Sequence, residues 1–418
     1  MKVTLQSIFQ QSFDAYASDH KLALKQHKAA HAIKTCRTVE QGGHVQRCPD
    51  GHEEHIQYHS CRHRSCPQCN GFPKEQWIQK QHQRLLTTNH YHVIFTLPHE
   101  LLSLWQYNTR WFTQALFKVV SDTLLTLSKD KKHLGGTPGL LLSLHTWGRN
   151  LSLHPHIHCL ITGGALTTDG QWQVARNNYL FPSRVVRALY QGKLLSAIER
   201  GLRSDLLTIP PLTNRVQLTK CLRQLYQKKW NVRIQPPYAH GKGVLSYLSR
   251  YVKGGPLSNR RLTSANEDHV DFRYTDHRDG KTKTLSLDTS HFLDRLLDHI
   301  PEPRQHVIRH YGLYGHQANK KRQQARACLG QAEPESIVEM DWQDYVQQFS
   351  KGDGGLCKQC GKPLVRGCQL VKNSYSKVPG SGYVQQSVGL DRATWYLPPT
   401  KPPDGRGDIF LSQARPIN

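Results

Sequence analysis

His154-Pro155-His156-Ile157-His158-Cys159-Leu160-Ile161 holds two imidazoles one residue apart in a run whose latter part reads as a β-strand. The side-chain period of a strand is two, so His156 and His158 share a face while Ile157 and Cys159 point to the other. Two imidazoles so placed can grip one divalent ion, which could polarise a phosphate. The alternative for the pair alone is two packed core histidines. Far downstream, Tyr247-Leu248-Ser249-Arg250-Tyr251 has helical spacing, which sets two phenols one turn apart on one face. With Lys242, Arg250 and Lys253 around them, the tyrosines are either packing residues or nucleophiles beside a DNA backbone. In the second case a phenolate attacks phosphorus and the phosphotyrosine stores the energy of the broken bond, so no ATP is needed. The chain has no G-x-x-x-x-G-K-[ST] phosphate loop, in keeping with that.

A second chemistry lies upstream. Cys61-x4-Cys66-x2-Cys69, with Cys48 and Cys36 before it, gathers five thiols in about 35 residues, and Cys66-Pro67-Gln68-Cys69 has the spacing of a zinc knuckle. His44, His52, His59 and His63 can complete one tetrahedral Zn²⁺ site or two. Cys48, Cys66 and Cys69 are the first choices as ligands. Such an ion would be structural, and Arg62, His63 and Arg64 would face DNA. Near the other end Cys357-x2-Cys360-x7-Cys368 is a weaker echo without an obvious fourth ligand.

The bulk numbers agree with a polyanionic partner. Of 418 residues, 56 are Lys or Arg and 31 Asp or Glu, a net charge of +25 that favours nucleic acid through counterion release. No apolar run approaches the length of a bilayer span, and Met1 to Gln6 begin no long apolar signal core, so a cytoplasmic location is expected. The eleven Cys cluster with His rather than spreading as a disulfide framework.

Elements that must position these groups are legible in part. A helix pair is expected over 5–33 and a helix over 75–86. Tyr91 to Leu97 reads as a strand ending at Pro98, and 101–128 as one long helix. Leu140 to Trp147 and His156 to Thr162 form an antiparallel pair, 183–229 is mostly helical, and strands at 270–274 and 282–287 flank the turn at Arg278-Asp279-Gly280. A short helix follows at 291–300. Beyond Tyr314 the sequence turns polar, and it is Pro- and Gly-rich from Pro379, as in a loosely ordered tail.

Val93-Ile94-Phe95-Thr96-Leu97-Pro98, then His156-Ile157-His158, then Tyr247-x3-Tyr251 resemble the three ordered motifs of HUH (His-hydrophobic-His) rolling-circle nucleases. Within that group the chain is similar to the two-tyrosine transposases of the insertion sequence 91 family. The likeness also covers Cys36-Arg37-Thr38, Gly42-Gly43-His44-Val45, Ser60 to Cys69, His145-Thr146-Trp147-Gly148, Tyr247 to Lys253, Phe272 to His277 and Arg309 to Tyr314, about residues 5–315 in all.

The resemblance implies an α+β fold, with an HUH-type antiparallel sheet, flanking helices and an N-terminal Cys/His zinc module. It implies Mg²⁺ or Mn²⁺ at the histidines and movement of a DNA element through a single-stranded intermediate. The chain is read as regions 1–80 (helical lead-in and zinc-binding DNA-recognition module), 85–315 (catalytic, with an inserted helical segment 183–230) and 316–418 (basic tail, where Cys357, Cys360 and Cys368 offer a small zinc site). Two departures stand out. His52 occupies a place where relatives often carry a thiol, and Arg149 stands where the third HUH ligand, Gln or Glu, would be sought, so His145 is the expected substitute with His154 behind it. The competing readings are a plasmid or phage replication initiator and a non-catalytic zinc-finger regulator.

Overall fold

The computed structural model describes residues 3–239, 255–276, 278–334, 339–349 and 355–371. Tyr247, Tyr251, Lys242, Arg250 and Lys253 lie outside them. In chain order the elements are α1 (Leu5–Asp19), α2 (Leu24–Thr35), β1 (Gly43–Arg47), β2 (Glu54–Tyr58), α3 (Gly71–Arg84), β3 (His90–Thr96), α4 (Leu102–Tyr107), α5 (Thr109–Lys129), β4 (Gly136–Thr137), β5 (Gly139–Trp147), β6 (Leu153–Thr162), β7 (Gly164–Thr167) and β8 (Trp172–Val174). They continue as α6 (Ser183–Arg203), α7 (Arg215–Gln227), β9 (Val232–Ile234), β10 (Leu262–Ala265), β11 (His269–Thr275), β12 (Thr282–Asp288), α8 (Thr289–Leu297), β13 (Ile308–Gly312), α9 (Asn319–Cys328), α10 (Trp342–Phe349) and β14 (Val365–Leu370). The fold is α+β with antiparallel sheets. No described helix is long and apolar enough to cross a membrane.

The central sheet runs β13-β5-β6-β3-β9, with every pairing antiparallel. Apolar residues fill one of its faces, and leucines share the other with Ser143 and the histidines. Leu140, Leu142, Leu144, Ile157, Cys159 and Ile161 enter a large core with α5, α6 and α7. Leu141 and Leu160 face a second cluster with Leu86 and Tyr314. Burying both faces explains why β5 reads as an almost unbroken apolar run from Leu140 to Leu144, whereas β6 alternates His154, His156 and His158 with Pro155, Ile157 and Cys159 before its apolar end.

The expected helix over 101–128 is broken. Asn108 leaves helical geometry, and its side chain donates to the Leu104 carbonyl (2.9 Å) and the Thr208 carbonyl (2.8 Å) while accepting from the Thr208 N–H (2.7 Å). One amide side chain thus replaces the intrahelical bonds lost between α4 and α5 and ties them to the loop after α6, a long-range partnership that periodicity does not register.

α1 starts at a reciprocal cap, Thr4 accepting from the Ser7 N–H and Ser7 from the Thr4 N–H, each at 3.1 Å. Its apolar stripe of Leu5, Ile8, Phe9, Phe13 and Tyr16 does not close a core with α2 alone. It packs with Val270, Phe272, Phe292 and Leu296, and the Tyr16 hydroxyl donates to Asp294 at 2.5 Å. The regions expected as 1–80 and 85–315 therefore share a core. At Gly255 φ is +73° and a Cβ would stand 2.8 Å from the Ser65 carbonyl oxygen. Only glycine fits there, next to the cysteine module.

The segment expected as a tail from 316 also carries structure among its described residues. β14 pairs antiparallel with β1 (Gly43 opposite Leu370, Arg47 opposite Val365), so the small N-terminal sheet has the order β14-β1-β2. Arg326 of α9 is buried and donates to the Leu85 carbonyl.

Candidate functional site

β6 delivers His156 and His158 to one face of the central sheet, and β5 places His145 directly opposite His156 and Ser143 opposite His158. One nitrogen from each of His145, His156 and His158 lies within 4.8 Å of the others. His145, expected only as a substitute ligand, is thus brought to the pair. Arg149 is not: its guanidinium donates to the Thr275 carbonyl. His154 is exposed, its ring 5.1 Å from that of His156.

Hydrogen bonds set the tautomers. His156 Nδ1 lies 2.6 Å from the His154 carbonyl oxygen, which can only accept, so Nδ1 carries the proton and the Nε2 lone pair is left for the cluster. The two Nε2 atoms of His156 and His158 face each other at 2.9 Å. His158 Nδ1 lies 2.7 Å from His92 Nε2 on β3. With His158 donating there, its Nε2 turns its lone pair toward His156 and the cluster, and His92 takes the orienting position that partners of metal-bound histidines commonly have. His92 was visible in the sequence only as a strand residue. It has no motif spacing, and its role depends on β3 lying beside β6. Trp147 stacks on His145 with centroids 5.4 Å apart and planes at 10°.

These imidazoles are buried, His145 to 1 %, His158 to 3 % and His156 to 9 % exposure. Burial pushes His92 and His156 down to about 4, and desolvation followed by the neighbouring imidazoles holds His145 and His158 well below the usual histidine value. All are neutral at physiological pH, which is the form that binds metal.

The cysteines form a second, independent site. Cys36, Cys61, Cys66 and Cys69 bring four sulfurs within 4.8 Å of one another, with Cys61 and Cys69 Sγ at 3.6 Å. Backbone amides support them: the Cys66 N–H donates to the His63 carbonyl, and the His63 N–H points at Cys61 Sγ from 3.5 Å. Hydrogen bonds from Cys61, Cys66 and Cys69 draw the Cys36 thiol far below its ordinary range, while donating to Cys36 pushes Cys66 far up. Four such sulfurs cannot ionise together without a cation, and the set suits tetrahedral zinc. Cys66→Ser with Cys69→Ser is expected to lower the zinc content by one ion per chain and to unfold residues near 36 to 70, since ion binding contributes on the order of 10 kcal/mol in modules of this size. Elemental analysis with limited proteolysis reads both effects. Unchanged zinc in the variant would refute the assignment.

Cys48 and His52, read above with the other N-terminal ligands, are not in this group. They lie at the turn between β1 and β2 and meet Cys357 and Cys360 instead. His44 joins neither group, its Nδ1 standing 3.3 Å from His59 Nε2. Of the expected DNA contacts, Arg62 is exposed, with a φ of 54°. Arg64 is half-buried and donates to the Gln305 carbonyl at 2.8 Å. Both line a groove of about 2460 Å³ that Arg37, Arg304, Arg366 and Trp342 also line.

Comparisons with known proteins agree with this division. Residues 139–322, which contain the three clustered imidazoles, match a family model described as "Putative transposase". Residues 8–97, which contain the four clustered thiols, match one described as "Transposase zinc-binding domain". Over 361 residues the chain is 33 % identical to "Putative transposase y4qJ" of Sinorhizobium fredii, covering 84 % of this chain and 91 % of the relative. Over 338 residues it is 29 % identical to "Transposase for insertion sequence element IS801" of Pseudomonas savastanoi pv. phaseolicola, covering 79 % of this chain and 80 % of that one. No solved structure matches the chain significantly. With these relatives spanning most of its length, the chain belongs to the insertion sequence 91 family of transposases and carries that family's zinc-binding domain at its N-terminal end.

Proposed function

We propose that this transposase nicks and rejoins single-stranded DNA at its element's ends through 5′ phosphotyrosine links to Tyr247 and Tyr251, in a rolling-circle-like movement. The observation that carries the reading is the trio His145, His156 and His158, neutral and converging on one point of an antiparallel sheet. The donor set fits a divalent ion with open positions. Three imidazoles suit Mn²⁺ better than Mg²⁺, which prefers oxygen ligands. When bound, such an ion would polarise the scissile phosphate and stabilise charge on the leaving oxygen.

The chain's own groups do the rest. One tyrosine Oη forms a bond to phosphorus as the P–O3′ bond breaks, which leaves a 5′ phosphotyrosine and a 3′ hydroxyl. The reverse attack by a 3′ hydroxyl reseals a strand, so no external energy source is consumed. A second tyrosine lets one site hold a covalent end while another cleavage proceeds, which exchange of donor and target strands requires. The described flanks of segment 240–254 are held on the β3 side by a bridge between Tyr238 and His90, and at Gly255 against Ser65. The groove lined by Arg62, Arg64 and the other arginines supplies a track for phosphates, with Trp342 available for base stacking. His92 orients His158, and Trp147 braces His145.

The test is a covalent trap: end-labelled single strand, protein and Mn²⁺, then denaturing electrophoresis. A labelled band that survives denaturant is expected, and its absence from every element-end sequence would overturn the reading. Binding is expected to be at least tenfold tighter for single-stranded or hairpin ends than for blunt duplex at matched salt, because a paired strand keeps its bases from the stacking side chains. Fluorescence anisotropy decides this, and equal affinities would count against it.

A further inference from the structure

Cys48 and His52 belong to the turn between β1 and β2, and Cys357 and Cys360 to the turn that precedes β14. Their ligand atoms gather in one place: Cys48 Sγ is 3.5 Å from Cys360 Sγ and 3.6 Å from His52 Nδ1, and Cys357 Sγ is 3.8 Å from the same nitrogen. A tetrahedral zinc ion with bonds of about 2.3 Å to sulfur and about 2.0 Å to nitrogen sets its ligand atoms roughly 3.5 to 3.8 Å apart. A disulfide does not account for the sulfurs, which would then approach to about 2.05 Å. We propose that Cys48, His52, Cys357 and Cys360 hold a second zinc ion, which clamps the chain segment carrying β14 to the N-terminal sheet.

The backbone at both turns is shaped for ligation. The Asp50 N–H points at Cys48 Sγ from 3.4 Å, and the Gly361 N–H closes a turn onto the Cys357 carbonyl at 2.8 Å. Both Gly51 (φ 77°) and Gly361 (φ 70°) take the left-handed conformation that such tight turns need. Among the described residues, little apolar packing holds the two turns together. The apolar cluster there consists of Cys48, Cys357 and Leu364 with Cys360 beside them, so the ligands are themselves most of the core. The β1–β14 ladder begins beside them with Arg47 opposite Val365, and among the described residues the side chains add an ion pair between Lys362 and Asp50 at 2.8 Å and a bond from the Lys358 N–H to Glu53 Oε1 at 2.7 Å, both at the surface and weak.

Cys368 is exposed on β14 and outside the group, so the two ligands that complete Cys357 and Cys360 are not the next cysteine but a pair, Cys48 and His52, from the far end of the sequence. Cys357 and Cys360 also fall outside residues 8–97 that match the zinc-binding domain, so this ion is additional to the one held by the four N-terminal thiols. Four protein ligands leave no open position, which makes the site structural. By fixing β14 it also fixes Arg366 in the wall of the arginine-lined groove.

The experiment is metal analysis of the full-length protein, purified without chelator, with and without substitutions at the new site. Wild type is expected to hold two zinc ions per chain and Cys357→Ser/Cys360→Ser one, with the four-thiol site retained. A single ion in wild type, or two in the variant, overturns the proposal. Should the serine variant lose both ions by unfolding, His52→Cys decides the matter after cobalt substitution. It preserves tetrahedral ligation but turns a three-sulfur site into a four-sulfur one, so sulfur-to-cobalt charge-transfer absorption must rise at unchanged stoichiometry. A spectrum identical to wild type would show that His52 is not a ligand. None of these readouts depends on DNA cleavage.

Discussion

A chain carrying Tyr247→Phe and Tyr251→Phe together is expected to form no denaturant-resistant adduct with single-stranded DNA and to leave its element immobile in cells. Phenylalanine keeps the ring and removes only the oxygen that would bond to phosphorus, so packing is preserved while the nucleophile is lost. Where such losses have been measured in a covalent enzyme, deleting the nucleophile costs on the order of 10⁶ in rate, far below the detection limit of a gel assay. The single variants separate the two roles. Each is expected to lose element movement, because both covalent ends are needed, and at least one is expected to nick and trap a strand in vitro. An adduct formed at wild-type yield by the double variant would assign both tyrosines to packing and remove the centre of the proposed mechanism.

The second large effect is expected at the histidines. His156→Ala with His158→Ala should abolish cleavage yet leave the affinity for single-stranded DNA within about threefold, since phosphate contacts by basic residues supply most of the binding. The imidazoles lie buried at the centre of the sheet, so a thermal melt and zinc content close to wild type are needed to show that the variant is folded. His92→Ala should be milder, a loss of about 10-fold to 100-fold that added Mn²⁺ partly restores, because it removes the partner that orients His158 rather than a ligand. Undiminished nicking by the double alanine variant in EDTA would refute a metal at this site.

The groups with local spacing were legible in the sequence. A period-two pair announces itself within three residues, and β6 carries it as a strand should. The boundaries of β3, β5, β11 and β12 fall within a residue or two of those expected from apolar runs and turn residues. What could not be read were partnerships between distant segments. His92 acquires its role only because β3 lies against β6 in antiparallel register, with Ile94 opposite His158. Asn108 breaks a helix whose periodicity runs on undisturbed, because its amide finds Thr208. Cys48 read as a ligand beside Cys66 and Cys69 from closeness in sequence, yet its neighbours in space are Cys357 and Cys360. Proximity along the chain was a sound guide for Cys61, Cys66 and Cys69, and a misleading one where a strand from the other end intervenes.

The pairing of β14 with β1 has a consequence for synthesis. At roughly 5 to 20 residues per second, a ribosome that has just made His52 needs about 15 to 60 seconds to add the 305 residues that lead to Cys357. Through that interval the β1–β2 hairpin leaves the tunnel with one edge bare, a form inviting to other strands and to chaperones. The arginine-lined wall stays unfinished for as long. A nascent chain therefore cannot present its complete groove to DNA until the segment through β14 has been translated, and a product truncated before Cys357 is damaged as far back as β1 and β2.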